Sequence, residues 1–179
     1  MGKTGLLTQE ELQDIIKDKK IKVMLETGTY LGDSTLEGSK MFEHVHTIEI
    51  VPELREQAIE KCKDRDNITF HLGDTVKLLP DIVDEIREPC LWFLDAHQSG
   101  PETSNNGEEW VPLLKELAAI LEHMNRDVDN VFTIDDVRLF SKHWDWEGVS
   151  IKSIEECFRV HGVEIKYRRI KNDRFTVYV

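Results

Sequence analysis

The segment from Lys22 to Thr35 limits what this chain can fold into more than any other stretch. Val23, Met24 and Leu25 form a short apolar run, Glu26 follows, and a turn carrying Gly28 and Gly32 leads into Ser34, Thr35 and a helical pattern. Strand, tight turn and helix in that order open a nucleotide-binding α/β unit. Glycine belongs in such a turn because it accepts backbone angles that other residues avoid and lets a ligand approach the main chain. An ordinary strand-to-helix turn would carry the same residues, so the rest of the chain has to decide between the two.

The turn departs from the dinucleotide fingerprint in a way that narrows the ligand. GxGxxG places its second glycine where the backbone touches a pyrophosphate. Here that position holds Tyr30, and the preceding strand ends in a carboxylate. A negative group there repels a pyrophosphate and suits a cationic ligand. S-adenosylmethionine (SAM) carries a sulfonium and an ammonium and no phosphate, so charge favours SAM over NAD. Glu49 follows about 20 residues beyond the glycine turn, where an acid accepts hydrogen bonds from both ribose hydroxyls.

The remaining pattern alternates. Thr8 and Glu11 form a capping box, and Leu12, Ile15 and Ile16 a helical stripe, which predicts an N-terminal helix over 8–20. A strand is expected over 21–26, a helix over 32–42 and a strand over 45–50. Pro52 sits in the first turn of the next helix, where its missing N–H costs nothing, and that helix runs to 63. A strand over 67–72, a helix over 75–88 with Pro80 as a kink or break, and a strand over 91–94 follow. The last of these is apolar throughout and so reads as buried on both faces. Residues 97–107 form the one long polar loop, of a length that marks active-site loops. A helix over 108–125, a strand over 130–134, a helix over 148–160, and strands over 164–170 and 174–179 joined at Lys171-Asn-Asp-Arg174 complete the chain.

This order predicts a single domain over 1–179. Its fold class is α/β, a Rossmann-like doubly wound seven-stranded sheet, mostly parallel with an antiparallel C-terminal hairpin strand and helices on both faces. From near residue 20 to the C-terminus the chain resembles the class I SAM-dependent methyltransferases, whose sheet has seven strands with the last antiparallel. The resemblance implies SAM as methyl donor, with Gly28, Thr29, Tyr30, Gly32, Ser34 and Thr35 around its methionine portion and Glu26 nearby. It places Glu49 on the ribose and Asp74, beside Thr75 and Val76, on the adenine amino group. Asp74 also suits a helix N-cap, and the two roles can coexist.

In doubly wound sheets ligands sit outside the carboxyl ends of the strands, and Glu26, Glu49, Asp74, Asp95 and Asp135-Asp136 all fall at expected strand ends. Some of these acids would simply cap helices, where carboxylates are favoured. Asp95, Asp135 and Asp136 make a hard-oxygen set suited to Mg²⁺, or to Mn²⁺ or Ca²⁺. His97 lies two residues beyond Asp95, and histidine titrates near neutrality, so it is a candidate general base and equally a candidate structural hydrogen-bonding residue. The arrangement resembles the metal-dependent sugar O-methyltransferases of the macrocin O-methyltransferase type and the related cephalosporin-hydroxylase-like family. There an Asp ends strand four and an Asp pair ends strand five. In the first group an acid occupies the position of His97, and the insert before the long helix is larger here, so the base and acceptor recognition are where this chain departs. The resemblance implies methylation of a sugar or glycan hydroxyl, with Asp95 and His97 catalytic and the acceptor's neighbouring hydroxyls on the metal. His143, Trp144, Trp146 and Trp110 suit either an acceptor wall or core packing. Metal-independent methylation of a catechol-like small molecule or a protein, nicotinamide-dependent oxidoreduction, and a non-catalytic SAM-binding module stay open on the same fold.

Composition enters as exclusion. A net charge of −12 with no offsetting basic cluster argues against nucleic acid. Cys62, Cys90 and Cys157 are scattered and lack ligand spacing, which fits free thiols in a reducing compartment, and a cytoplasmic location is expected. No secretory signal and no membrane-spanning apolar run stand out. His44, His46, His71, His123 and His161 show no metal-ligand spacing. The length of 179 residues would also fit a catalytic domain cut from a larger glycan-building enzyme, such as a viral one.

Overall fold

Val23–Thr27 forms β1, and every one of its residues is buried. Val23 and Leu25 face one hydrophobic cluster and Met24 the other, so the strand feeds two cores by simple alternation. In the computed structural model, which describes residues 5–98 and 110–179, the same holds for β4 (Cys90–Leu94), where Trp92 and Leu94 face the first cluster and Leu91 and Phe93 the second. The remaining elements are α1 (Gln9–Ile16), α2 (Asp33–Ser39), β2 (His44–Glu49), α3 (Pro52–Lys61), β3 (Ile68–Leu72), α4 (Thr75–Glu85), α5 (Leu113–His123), β5 (Asn130–Ile134), α6 (Ile151–Val160), β6 (Tyr167–Lys171) and β7 (Arg174–Tyr178). The seven strands lie in the order β3-β2-β1-β4-β5-β7-β6. β3, β2, β1, β4 and β5 pair in parallel, and β7 runs antiparallel to both β5 and β6. The α/β sheet expected from the sequence is therefore present.

Helices α1 to α3 and α4 to α6 take opposite faces, because the loops after β1 and β2 turn one way and those after β3, β4 and β5 the other. The change of direction falls between β1 and β4, where a doubly wound sheet opens its ligand crevice. On the α4–α6 side Trp92 stacks on Phe132, which meets Phe158 edge to face, and the Trp92 indole N–H donates to Asn130 Oδ1 at 2.9 Å, so the largest buried ring leaves no polar atom unpaired. The Thr8–Glu11 capping box forms as read, with the helix ending at Ile16.

Two local expectations shift. Pro80 does not break α4: Leu79, Ile82 and Val83 are buried around it, and that packing outweighs one lost backbone bond. The helix expected over 108–125 begins only at Leu113, with Pro112 at its N-cap. Of the 97–107 loop, only His97 and Gln98 belong to the described residues; the Gln98 N–H donates to the Trp110 carbonyl at 2.9 Å and closes the loop's base. The β6–β7 turn places both Asn172 and Asp173 at positive φ, the geometry of a two-residue hairpin whose twist matches its strands.

Candidate active site

The turn after β1 is held by side chains beneath it. Glu26 is buried inside β1 rather than at its end, and its Oε2 accepts from the Thr35 hydroxyl and, at 2.7 Å, from the Thr47 hydroxyl. Burial lifts its pKa to about 7 even against those two donors, with Glu49 adding to the rise. Thr29 and Thr47 share a hydroxyl contact of 2.6 Å. A Cβ on Gly28, which sits at φ +83°, would press within 3.0 Å of the Ala96 backbone, and one on Gly32 within 2.9 Å of Ala58 on α3. Both glycines thus let the turn lie close against its neighbours, whatever it binds.

Glu49 ends β2 and reaches back across the crevice. Its Oε2 accepts from the Tyr30 N–H at 2.7 Å, and its Oε1 from the Ile50 and Val51 N–H groups at 3.0 and 2.9 Å. Burial raises its pKa, and the three backbone donors oppose the rise. Tyr30 itself stands at φ +50° with its ring half-exposed over the turn. Asp74 caps α4 through the Val76 N–H at 3.1 Å and pairs with Lys77. Ser34 is taken by the N-terminal segment, accepting from the Leu7 N–H at 3.0 Å and donating to the Gly5 carbonyl. That segment runs over the crevice, where a Cβ on Gly5 would lie 3.6 Å from Asp95 Oδ2.

The ends of β4 and β5 carry the second half of the site. Asp95 follows β4, and ligand atoms of Asp95, His97 and Asp136 all fall within 4.8 Å of one another. His97 Nε2 lies 3.2 Å from Asp136 Oδ2, while its Nδ1 lies 3.2 Å from the Asp95 carbonyl. Asp136 stands at φ +62°, a left-handed conformation that few residue types other than glycine, asparagine and aspartate adopt. Burial holds the Asp95 carboxyl well above the usual range, and Asp135, Asp136 and Glu26 push it further. Asp135 belongs to a different arrangement from the one its sequence position suggests. Its Oδ1 accepts from the Asp136 N–H at 2.8 Å, and its Oδ2 lies 3.3 Å from Arg174 Nη2 without hydrogen-bond alignment, so that buried oxygen has no hydrogen-bond partner among the described residues. Ligand atoms of Asp135, Asp136 and Asp173 also fall within 4.8 Å of one another, so the three predicted acids divide over two adjoining clusters that share Asp136, one with His97 and one with Asp173.

Several residues here were not singled out from the sequence. Glu116, wholly buried in α5, accepts from the Thr27 hydroxyl at 3.3 Å and from the Thr75 hydroxyl. Its position inside a leucine-rich helical stripe was the clue, because an unpaired acid is rarely buried on such a face. Arg174 is buried on β7 and donates to Glu11 at 2.8 Å and to the Leu6 carbonyl at 3.0 Å. Arg138 ion-pairs with both Asp136 and Asp173. The aromatic candidates divide. Trp146 is buried against His97 and Phe140, whereas Trp110 and Trp144 are exposed and meet edge to face at 5.2 Å. His46 and His71 also meet, at 3.1 Å across β2 and β3, although their spacing gave no hint of it.

No family model matches the sequence, and neither does any curated protein. Solved structures do match. The O-methyltransferase TomG of Streptomyces achromogenes, in complex with SAM, is 16% identical, with 96% of this chain and 78% of that one covered at a TM-score of 0.67. The O-methyltransferase of Bacillus cereus, in complex with SAH, is 18% identical over 96% of this chain and 79% of that one, at 0.65. The N-methyltransferase NodS of Bradyrhizobium japonicum is 12% identical over 93% and 88%, at 0.59. The chain has the fold of the class I SAM-dependent methyltransferases.

Proposed function

We propose that this chain is a SAM-dependent O-methyltransferase that acts on a hydroxyl of a sugar or glycan with the help of a divalent cation. The observation that carries the reading is the meeting of Asp95, His97 and Asp136 beside the β1–α2 turn, at the sheet edge where this fold takes its ligands. Complexes of two matched structures with SAM or SAH support the donor.

The cofactor half fits a cation with a ribose. Glu26, Glu49 and Asp95 set acidic groups around the crevice, and a cationic ligand such as the sulfonium and ammonium of SAM favours their ionised forms. Glu49 uses three of its roughly four acceptor positions on backbone N–H groups and keeps one for a ribose hydroxyl. Gly28, Thr29, Tyr30 and Gly32 form the wall beside the methionine portion. Ser34 and Thr35 act from behind it, through Leu7 and Glu26, and Asp74 and Thr75 flank the adenine end.

The donor set at β4 and β5 fits Mg²⁺ or Mn²⁺, with two carboxylates and an imidazole. A neutral imidazole can donate to only one of the two oxygens His97 faces. A cation beside Asp136 would take the Nε2 lone pair and leave Nδ1–H on the Asp95 carbonyl, the second bond that metal-bound histidines make. When bound, the cation would lower the pKa of the acceptor hydroxyl and hold its neighbour. With Nε2 on a cation and Nδ1–H on the carbonyl, His97 has no lone pair left, so Asp95 is then the group within reach to take the proton. Without a cation His97 can take it, and in either case Trp146 fixes the His97 ring from behind. Trp110 and Trp144, exposed at the base of the 97–107 loop, offer flat apolar faces of the kind that cover the C–H side of a pyranose. Arg138 favours a second, metal-independent reading, since it already sets a positive charge on Asp136.

Calorimetry with SAM and with NAD, each with and without Mn²⁺, tests the donor; transfer of label from SAM to a panel of methyl glycosides and catechols tests the acceptor. SAM binding with label on glycosides, lost on adding EDTA, is the expected result. NAD binding in place of SAM would overturn the reading, and EDTA-insensitive transfer would leave the metal-independent one.

A further inference from the structure

We infer that Arg138 is an internal counter-cation of the acidic rim, which competes with a divalent ion for Asp136 and yields to Asp173 when that ion arrives. The inference rests on Asp95, His97 and Asp136 being the cation site. Asp136 shares out its oxygens: Oδ2 faces His97 Nε2 at 3.2 Å, while Oδ1 pairs with Arg138 Nη1. The same Nη1 also pairs with Asp173 Oδ2, so the guanidinium is suspended between two carboxylates.

Its backbone is fixed where the side chain needs a pivot. The Arg138 N–H donates to Asp173 Oδ1 at 2.7 Å, and the Val137 N–H to the Asp173 carbonyl at 3.0 Å, which ties the 137–139 turn to the β6–β7 hairpin. The side chain is 46% exposed, whereas that of Asp136 is 6% exposed. A charge partly in water can leave a buried carboxylate at little cost, and Asp173, 29% exposed, keeps it paired when it does. Asp135 is treated differently: its cation, Arg174, is itself buried, 7% exposed, and is anchored on the far side by Glu11 and the Leu6 carbonyl, so it is not free to swing into water. The rim thus has one permanent counter-charge and one exchangeable one, and the exchangeable one lies on the residue that faces His97.

Two substitutions should shift cation affinity in opposite directions. Arg138→Gln removes the competitor and should tighten Mn²⁺ binding by about ten-fold, since a like charge one residue away opposes the ion. Asp173→Asn removes the carboxylate that receives the guanidinium and should weaken Mn²⁺ binding several-fold; asparagine tolerates the left-handed turn position, so the hairpin is kept. Both are read by calorimetry of Mn²⁺ on the whole chain, with circular dichroism to show that each variant is folded. Arg138→Lys, which restores a charge, should return affinity toward wild type. Mn²⁺ binding that Arg138→Gln leaves unchanged or weakens would overturn the role of Arg138 alone. Silence toward Mn²⁺ in wild type and Arg138→Gln alike would overturn the cation site and this inference with it.

Discussion

The two halves of the crevice hold comparable numbers of buried acids and treat them in opposite ways. On the β1–β2 side, Glu26 and Glu49 are surrounded by donors: two hydroxyls for one, three backbone N–H groups for the other. On the β4–β5 side, Asp95, Asp135 and Asp136 crowd one another, which adds to the raised proton affinity of Asp95 and Asp135, and counter-charge comes from Arg138, two residues beyond Asp136, and from Arg174 on β7. The first half is a finished cradle whose geometry needs no ligand. The second is an electrostatic arrangement that a cation would complete. Substitutions should therefore separate the two halves, and each outcome below either sharpens that contrast or breaks it.

The largest effect is expected at Asp136. Asp136→Asn should lower methyl transfer by roughly a thousand-fold through loss of cation assistance, which is worth several kcal/mol. SAM affinity, measured by calorimetry, should stay within about two-fold, because the contacts of Asp136 among the described residues run to Asp135, His97 and Arg138 and not to the β1–β2 cradle. If SAM affinity collapses together with turnover, the halves are one unit and the contrast fails.

Arg174→Met comes next, on stability rather than turnover. It leaves Asp135 buried and uncompensated, and breaking a buried pair by removing one partner costs about 3–5 kcal/mol in urea unfolding at neutral pH. The double variant Asp135→Asn/Arg174→Met should regain most of the loss. A single variant as stable as wild type would show that Arg174 is not what neutralises this half.

Glu26 tests the other half by pH. Its folded pKa of about 7 stands above the ordinary 4.5, so the fold favours the protonated carboxyl. That contribution is fully present below pH 4.5 and is lost as pH rises through 7, and over the whole window it amounts to about 3 kcal/mol at 1.36 kcal/mol per unit. Glu26→Gln, which keeps an acceptor for Thr35 and Thr47, should flatten the fall in stability between pH 4.5 and 7. Equal slopes in wild type and variant would place the titrating group elsewhere.

How much of this was legible depended on whether a feature is periodic or relational. Strand alternation, the Thr8–Glu11 box and the Asn172-Asp173 hairpin are local patterns, and the α/β topology followed from them. The acids at the strand ends were visible for the same reason, since fold topology alone brings those ends together. Their partners were not. Arg174 lies far along the chain from Glu11, Arg138 meets Asp173 only through the hairpin, and Glu116 reads as one more position in a helix until Thr27 and Thr75 are seen beside it. Charge pairing across elements has no period. The Asp135-Asp136 pair was legible as consecutive acids at a strand end, but that Asp136 faces both His97 and Asp173 depends on side-chain directions that no sequence pattern carries.

The smallest effect is expected at the mouth, where Trp144 and Trp146 lie two residues apart and differ as sharply as the two halves do. Trp146 is 4% exposed and packs on His97 and Phe140, while Trp144 is 68% exposed and touches Trp110 at the rim. Trp144→Ala should leave stability within about 0.5 kcal/mol, as exposed positions do. If its face covers a sugar ring, binding of a methyl glycoside in the presence of SAM should weaken by about two- to ten-fold, the range of 0.5–1.5 kcal/mol that an aromatic contact contributes beyond its area. Quenching of tryptophan fluorescence during a glycoside titration reads this directly. A catechol that quenches wild type and loses its affinity in the variant, while glycosides do neither, would move the acceptor from sugar to aromatic ring and leave the cation half of the contrast intact.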